Sequence, residues 1–240
     1  MGLGASLFRA CFVRREVSRS DYPDVNQAKL SDKEEYQKTD CAPAADVNAV
    51  RRMHLADKQS DEEVAEELRK DMGTRPLGTP NPGTEPDELI KGTEKYFQDH
   101  GKKTKSWWCG WGAGQAQRKG SNKAPSFNWI ARSLMKDNQE VVLQIGMYKK
   151  DAKGNLKRVA GHYITCTGYT KEGLSLKVDD PAPRAERKEH TLKTKELKSG
   201  KLEAGSKSIS AKAYLELEGL DLKEGSDIAV IDGAYAYRAK

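Results

Sequence analysis

The feature that most constrains this chain is a change of hydrophobic period just before Glu140. Upstream, apolar residues recur every three or four positions, as on a helix face. Downstream, they come in runs and alternations of strand length. Val47, Val50 and Met53, behind a proline at Pro43 that suits a first turn, predict a helix over 41–55. Ser60 and Glu63 form a capping-box pattern ahead of Val64 and Leu68, and Gly73 suits the stop of this second helix. The Pro- and Gly-dense stretch 74–86 reads as loop. A third helix is predicted from Pro86 to His100, closed by Gly101, and a fourth over 126–137 around Trp129, Ile130 and Leu134.

After the change, 140–148 reads as a buried strand, 151–155 as a hairpin turn and 156–169 as the return strand. A third strand over 174–179 stops at Pro181, and further strands are predicted at 186–192, 227–232 and 234–238. Helices first and antiparallel strands after give an α+β fold class. Residues 1–35 show no sustained period and read as a poorly ordered arm; 36–240 read as one domain.

Charge narrows the function classes. With 42 Lys and Arg against 36 Asp and Glu, the net charge is +6. Most of it lies in mixed Lys/Glu stretches such as 186–203, which suit a solvated face. No basic stripe with interleaved aromatics appears, so no nucleic-acid partner is expected. Cys11, Cys41, Cys109 and Cys166 form no CxxC pair, so neither a zinc site nor a cofactor is expected. No apolar run has membrane-spanning length. At the N-terminus the basic residues follow the short apolar run, which makes a poor secretion signal and favours the cytoplasm. Gly2 and Ser6 fit a myristoylation pattern in form only. The compartment is otherwise open, as is the oligomeric state.

Three segments carry chemistry. In Tyr36–Ala45, YQKTDCAPAA, Cys41 opens a predicted helix. The positive helix end and the free N–H groups there favour a thiolate over a thiol. Asp40 opposes this unless it caps the helix. Gln37 could donate its amide to an oxyanion, with the Cys41 N–H as second donor. In Val159–Thr165, VAGHYIT, His162 follows a glycine on a strand, a placement that can face a cleft. In Lys177–Pro181, KVDDP, either Asp179 or Asp180 could accept from that imidazole, with turn formation before Pro181 as the plainer role. Cys166 shares a strand face with His162 and reads as core. The Trp107, Trp108 and Trp111 cluster fits a cleft wall and a core equally. The run Gly110–Gly114, GWGAG, reads as a flexible loop.

In their order, DCAPAA, GHYITCTGY and VDDP resemble the motifs of papain-like cysteine peptidases of the bacteriocin-processing, double-glycine leader type, over roughly 36–185. The resemblance implies a papain-like fold with N-terminal helices packed on a C-terminal antiparallel sheet. It also implies Cys41 as nucleophile, His162 as base, Asp180 as the orienting acid and Gln37 as oxyanion donor, with a peptide or protein as substrate. Two departures stand out: Ala42 replaces the glycine usual after the cysteine, and Gln37 precedes Cys41 by only four positions. No GxxxxGK[ST] is present, so the likeness is to free-standing peptidase-like domains. The same Cys, His, Asp order also serves acyltransferases of transglutaminase type, and an inactive peptide-binding relative would keep the scaffold.

Overall fold

In a computed structural model the chain is described over residues 15–240, except 21, 24, 112–119 and 184–188. Gly2, Ser6 and Cys11, and most of the Gly110–Gly114 run, lie outside the described residues.

The helices follow the local signals. α1 is a short turn, Glu34–Gln37, and α2 runs Cys41–Arg52. α3, Asp61–Met72, carries the full capping box: Ser60 Oγ accepts from the Glu63 N–H, and Glu63 accepts from the Ser60 N–H. It stops where Gly73 turns left-handed at φ 62°. α4, Pro86–Asp99, starts on its proline. α5, Phe127–Leu134, is capped by Ser126. Gly92 on α4 sits against the Met72 backbone, leaving no room for a Cβ and bringing α3 and α4 close together. The inner faces of α2, α3 and α4 form one core with Val142, Tyr163, Tyr235 and Tyr237 of the sheet.

The strands are β1 Glu16–Ser18, β2 Thr104–Gly110, β3 Gly120–Ser121, β4 Glu140–Lys150, β5 Leu156–Thr170 and β6 Ser175–Asp179. They continue with β7 Glu189–Glu196, β8 Lys201–Ala204, β9 Lys207–Ser210, β10 Leu215–Glu218 and β11 Ile228–Ala239. β4 pairs with both β5 and β11, while β5, β6, β7, β10 and β11 pair in succession. These pairings close the sheet into a six-stranded barrel instead of leaving it open. Its interior is apolar: Leu143, Ile145, Ile164, Cys166, Val178, Leu192, Leu217 and Ile231 meet there, with Ile130 and Leu134 of α5. The helices α2 to α4 cover the outside of β4, β5 and β11.

Several expectations change. The strands predicted at 227–232 and 234–238 are the single strand β11; a register shift against β4 between Ile231 and Gly233 interrupts its alternation. β2 lies upstream of the period change, and two pairings, β2–β3 and β5–β8, are parallel. Part of the predicted arm is fastened to the outside of the six barrel strands by pairing with β5. β1 pairs with the end of β5, and Arg19 donates to the carbonyls of Leu134 and Gln139 at 2.6 Å. Tyr22 donates to the fully buried Glu140, which also holds Arg52.

Candidate active site

The site forms where the start of α2 meets the barrel rim. The first helical bond of α2 runs from the Ala44 N–H to the Asp40 carbonyl at 2.9 Å, so the Cys41 and Ala42 N–H groups have no partner within the helix, and Pro43 has no N–H. Cys41 is partly exposed, whereas Ala42, Ala44 and Ala45 are fully buried in the helix core. The Ala42 methyl is thus accommodated by packing. Asp40 does not cap the helix with its side chain. Its carboxylate turns away to Arg69 of α3, which grips both oxygens at 2.6–3.0 Å. Burial holds the Asp40 acid above its ordinary value, and the Arg69 hydrogen bonds and charge offset only part of that rise. Arg69 also donates to the Leu30 carbonyl and lies over the Tyr36 ring. One arginine thereby fixes the approach to α2 and occupies the acid beside the thiol.

His162 alternates with Ile164 and Cys166 on β5 and so points to the barrel side of the strand. At this level β5 has β4 on one flank, where Ile145 is its partner. On the other flank β6 ends at Asp179, opposite Thr165, and the chain continues as Asp180-Pro181. That places Asp180 beside the imidazole. His162 Nε2 and Asp180 Oδ1 are 2.5 Å apart, and the same oxygen accepts from the Ala182 N–H at 2.9 Å. Of the two acids in VDDP, Asp180 is the one on the histidine.

The bond to Nε2 leaves Nδ1 for the thiol, and Cys41 is a hydrogen-bond and charge partner of the ring. Burial works against the imidazolium, but the Asp180 charge and hydrogen bond, with Cys41 behind them, raise its pKa from 6.5 to about 9.

Cys41 and His162 line one cleft of about 290 Å³ together with Gln27, Gln37, Lys38, Leu77, Met147, Ala160, Gly161, Pro183 and Lys223. Gly161 lines this wall beside His162, and a Cβ there would stand 2.7 Å from the Arg158 guanidinium. Both glutamines reach the cleft. Gln37 donates its amide to the Ser31 carbonyl at 3.0 Å. Gln27, 5% exposed, donates its amide to the Gln37 carbonyl at 2.9 Å, and its backbone N–H binds the Pro181 carbonyl at 3.0 Å. Gln27 escaped the sequence reading because it lies well upstream of the cysteine motif, in a stretch without period. Its link to Pro181 is invisible without the fold.

The remaining candidates go elsewhere. Cys166 is fully buried in the barrel core, where burial pushes its thiol up to about 12. Trp108 is buried among the helices, and Trp107 half-buried on the opposite side of β2. Trp111 joins a small third cluster with Tyr148 and Tyr214. None of the three is among the described residues of the cleft. Among the described residues no three His, Cys, Asp or Glu side chains gather as a metal site, and no helix is long and apolar enough to cross a membrane.

Residues 19–207 match the family described as Peptidase_C39 like family. No curated protein matches the chain.

Proposed function

We infer that this chain, which belongs to the Peptidase_C39 like family, is a cysteine peptidase that hydrolyses peptide bonds with Cys41 as nucleophile. The observation that carries this reading is the buried His162–Asp180 pair facing a partly exposed cysteine at a helix start. Asp180 holds the ring in place and favours its charged form, so His162 is set to take the thiol proton. The thiolate adds to the scissile carbonyl. The Cys41 N–H and a cleft glutamine, Gln27 or Gln37, donate to the resulting oxyanion. His162 passes its proton to the leaving amine, and a thioester remains. Water, deprotonated by the now neutral ring, hydrolyses the thioester and restores the pair.

The membership in the family does not assign the double-glycine leader preference to this chain. A Cys-dependent acyltransferase would use the same three residues with an amine in place of water. Amine incorporation exceeding hydrolysis would favour it.

The test is iodoacetamide alkylation followed by mass spectrometry across pH, mapped to individual cysteines. Fast alkylation of Cys41 below about pH 7, lost in His162→Ala, is the expected result. A Cys41 that reacts no faster than a free thiol refutes the reading, and leaves a peptide-binding domain on the same scaffold.

A further inference from the structure

Away from the cleft, the fold assembles a basic cluster from three distant segments. Lys105 on β2, Lys136 after α5 and Arg238 on β11 all stand around the Trp107 ring. Their charged ends lie 5.3, 5.1 and 5.8 Å from its centroid. Lys105 and Lys136 are exposed, and Trp107 and Arg238 half-buried. Lys105 and Arg238 are direct partners in the β2–β11 register. Like charges directly opposite on neighbouring strands destabilise a sheet. Like charges also stand opposite each other at Lys149–Lys157 of β4–β5 and Asp179–Glu189 of β6–β7, but at this position a third cation and an aromatic ring join the pair. Here, among the described residues, none of the three cations forms an ion pair. The indole holds the cations together by its π charge, yet contributes only about 0.5–1 kcal/mol per exposed contact and no counter-charge.

We propose that Trp107, Lys105, Lys136 and Arg238 form a docking surface for an acidic, Asp/Glu-rich segment of a protein partner. Carboxylates supply the missing counter-charge, and Arg238, half-buried and fixed in the strand, offers a planar fork that one carboxylate can accept in bidentate fashion. The cluster is compact and the ring is already surrounded by cations. That suits a short run of carboxylates better than a nucleic-acid strand, which needs a line of charges and an open ring face for stacking. None of the four residues lines the described cleft, so the inference does not depend on Cys41 being active.

The experiment is fluorescence anisotropy of the full chain with a fluorescein-labelled peptide of alternating Asp and Glu, beside its Asn/Gln counterpart. Saturable binding of the acidic peptide alone, weakening as salt rises, is expected. Lys105→Glu with Arg238→Glu should weaken it by about tenfold or more, on the order of two close charge contacts. The neutralising pair Lys105→Gln and Lys136→Gln, milder for the fold, should weaken it less but measurably, with an unchanged melting temperature. Lys153→Glu with Lys157→Glu, the same charge change on the β4–β5 hairpin, should leave it within about twofold. Equal loss in that control reduces the effect to net charge and overturns the proposal. So does an oligothymidylate that binds more tightly than the acidic peptide and depends on the same residues.

Discussion

Glu140 and Asp180 are both buried acids, 0% and 1% exposed, yet they serve opposite ends. Glu140 is saturated by groups that keep their protons. Tyr22 donates to one oxygen, Arg52 to the other, and Arg19 stands 3.6 Å away. The acid ties the N-terminal segment and the end of α2 to the start of β4. Asp180 is bound to a group whose proton can leave. Its partner His162 has a second nitrogen, and that side opens on the cleft with Cys41. A buried charge whose partners hold their protons fastens elements together. One whose partner titrates and meets solvent can do chemistry.

That contrast can be broken most directly at the thiol. Cys41→Ala should lower turnover by about 10⁴-fold or more while leaving the melting temperature nearly unchanged. A large loss of stability would place Cys41 with the fastening groups. The converse experiment is Glu140→Gln, which leaves Arg52 and Arg19 without their counter-charge. Urea unfolding should show a loss of about 3–5 kcal/mol, with Cys41 alkylation unchanged wherever the protein stays folded. A stability loss near zero would mean that the cluster is solvated and fastens little.

The cleft glutamines sharpen the comparison within the site itself. Whichever of Gln27 and Gln37 donates to the oxyanion should cost about 10²–10³ in kcat when replaced by alanine, with little change in KM. Gln27 also bonds the Gln37 and Pro181 carbonyls, the first through its side-chain amide, so the melting temperature of Gln27→Ala, read beside its kcat, separates lost support from lost donation. Equal and small effects at both positions would leave the oxyanion to backbone N–H groups.

The smallest effect is in pH dependence. The His162 pKa is raised to about 9 in the fold against 6.5 outside it. The stability contributed by its charge is complete below about pH 6.5 and is lost as pH rises through about 9. His162→Gln should flatten the stability curve across that window, and Glu140→Gln should not. The same slope in both variants would assign it to other groups.

How much could be read in advance follows from how far each signal reaches. α3 was legible to the residue because Ser60, Glu63 and Gly73 lie within one helix length of one another. β2 was not. Its Trp107 and Trp108 say only that something large is buried, and its partner β11 lies far along the chain. β11 read as two strands because the pattern breaks at Gly233, where the register against β4 shifts beside the buried Asp232. Cys41, His162 and Asp180 stood out through their immediate neighbours. Asp40 did not reveal its role, since that role is set by Arg69 across two helices. The barrel closure depends on β4 pairing with both β5 and β11, which no local pattern encodes.

The central position of β11 has a kinetic consequence. It pairs with β2, β4 and β10, and its Tyr237 donates to Asp46 of α2 at 2.6 Å. A chain leaving the ribosome carries Cys41, His162 and Asp180 into solution well before this strand emerges. Without β11 the barrel cannot close and α2 lacks part of its floor, so these long-range pairings come late in folding. Synthesis order thus acts as a timer: the thiol meets a finished cleft only once residues 228–239 are in place. A nascent chain stalled before Ile228 should then carry a Cys41 with the reactivity of an ordinary thiol.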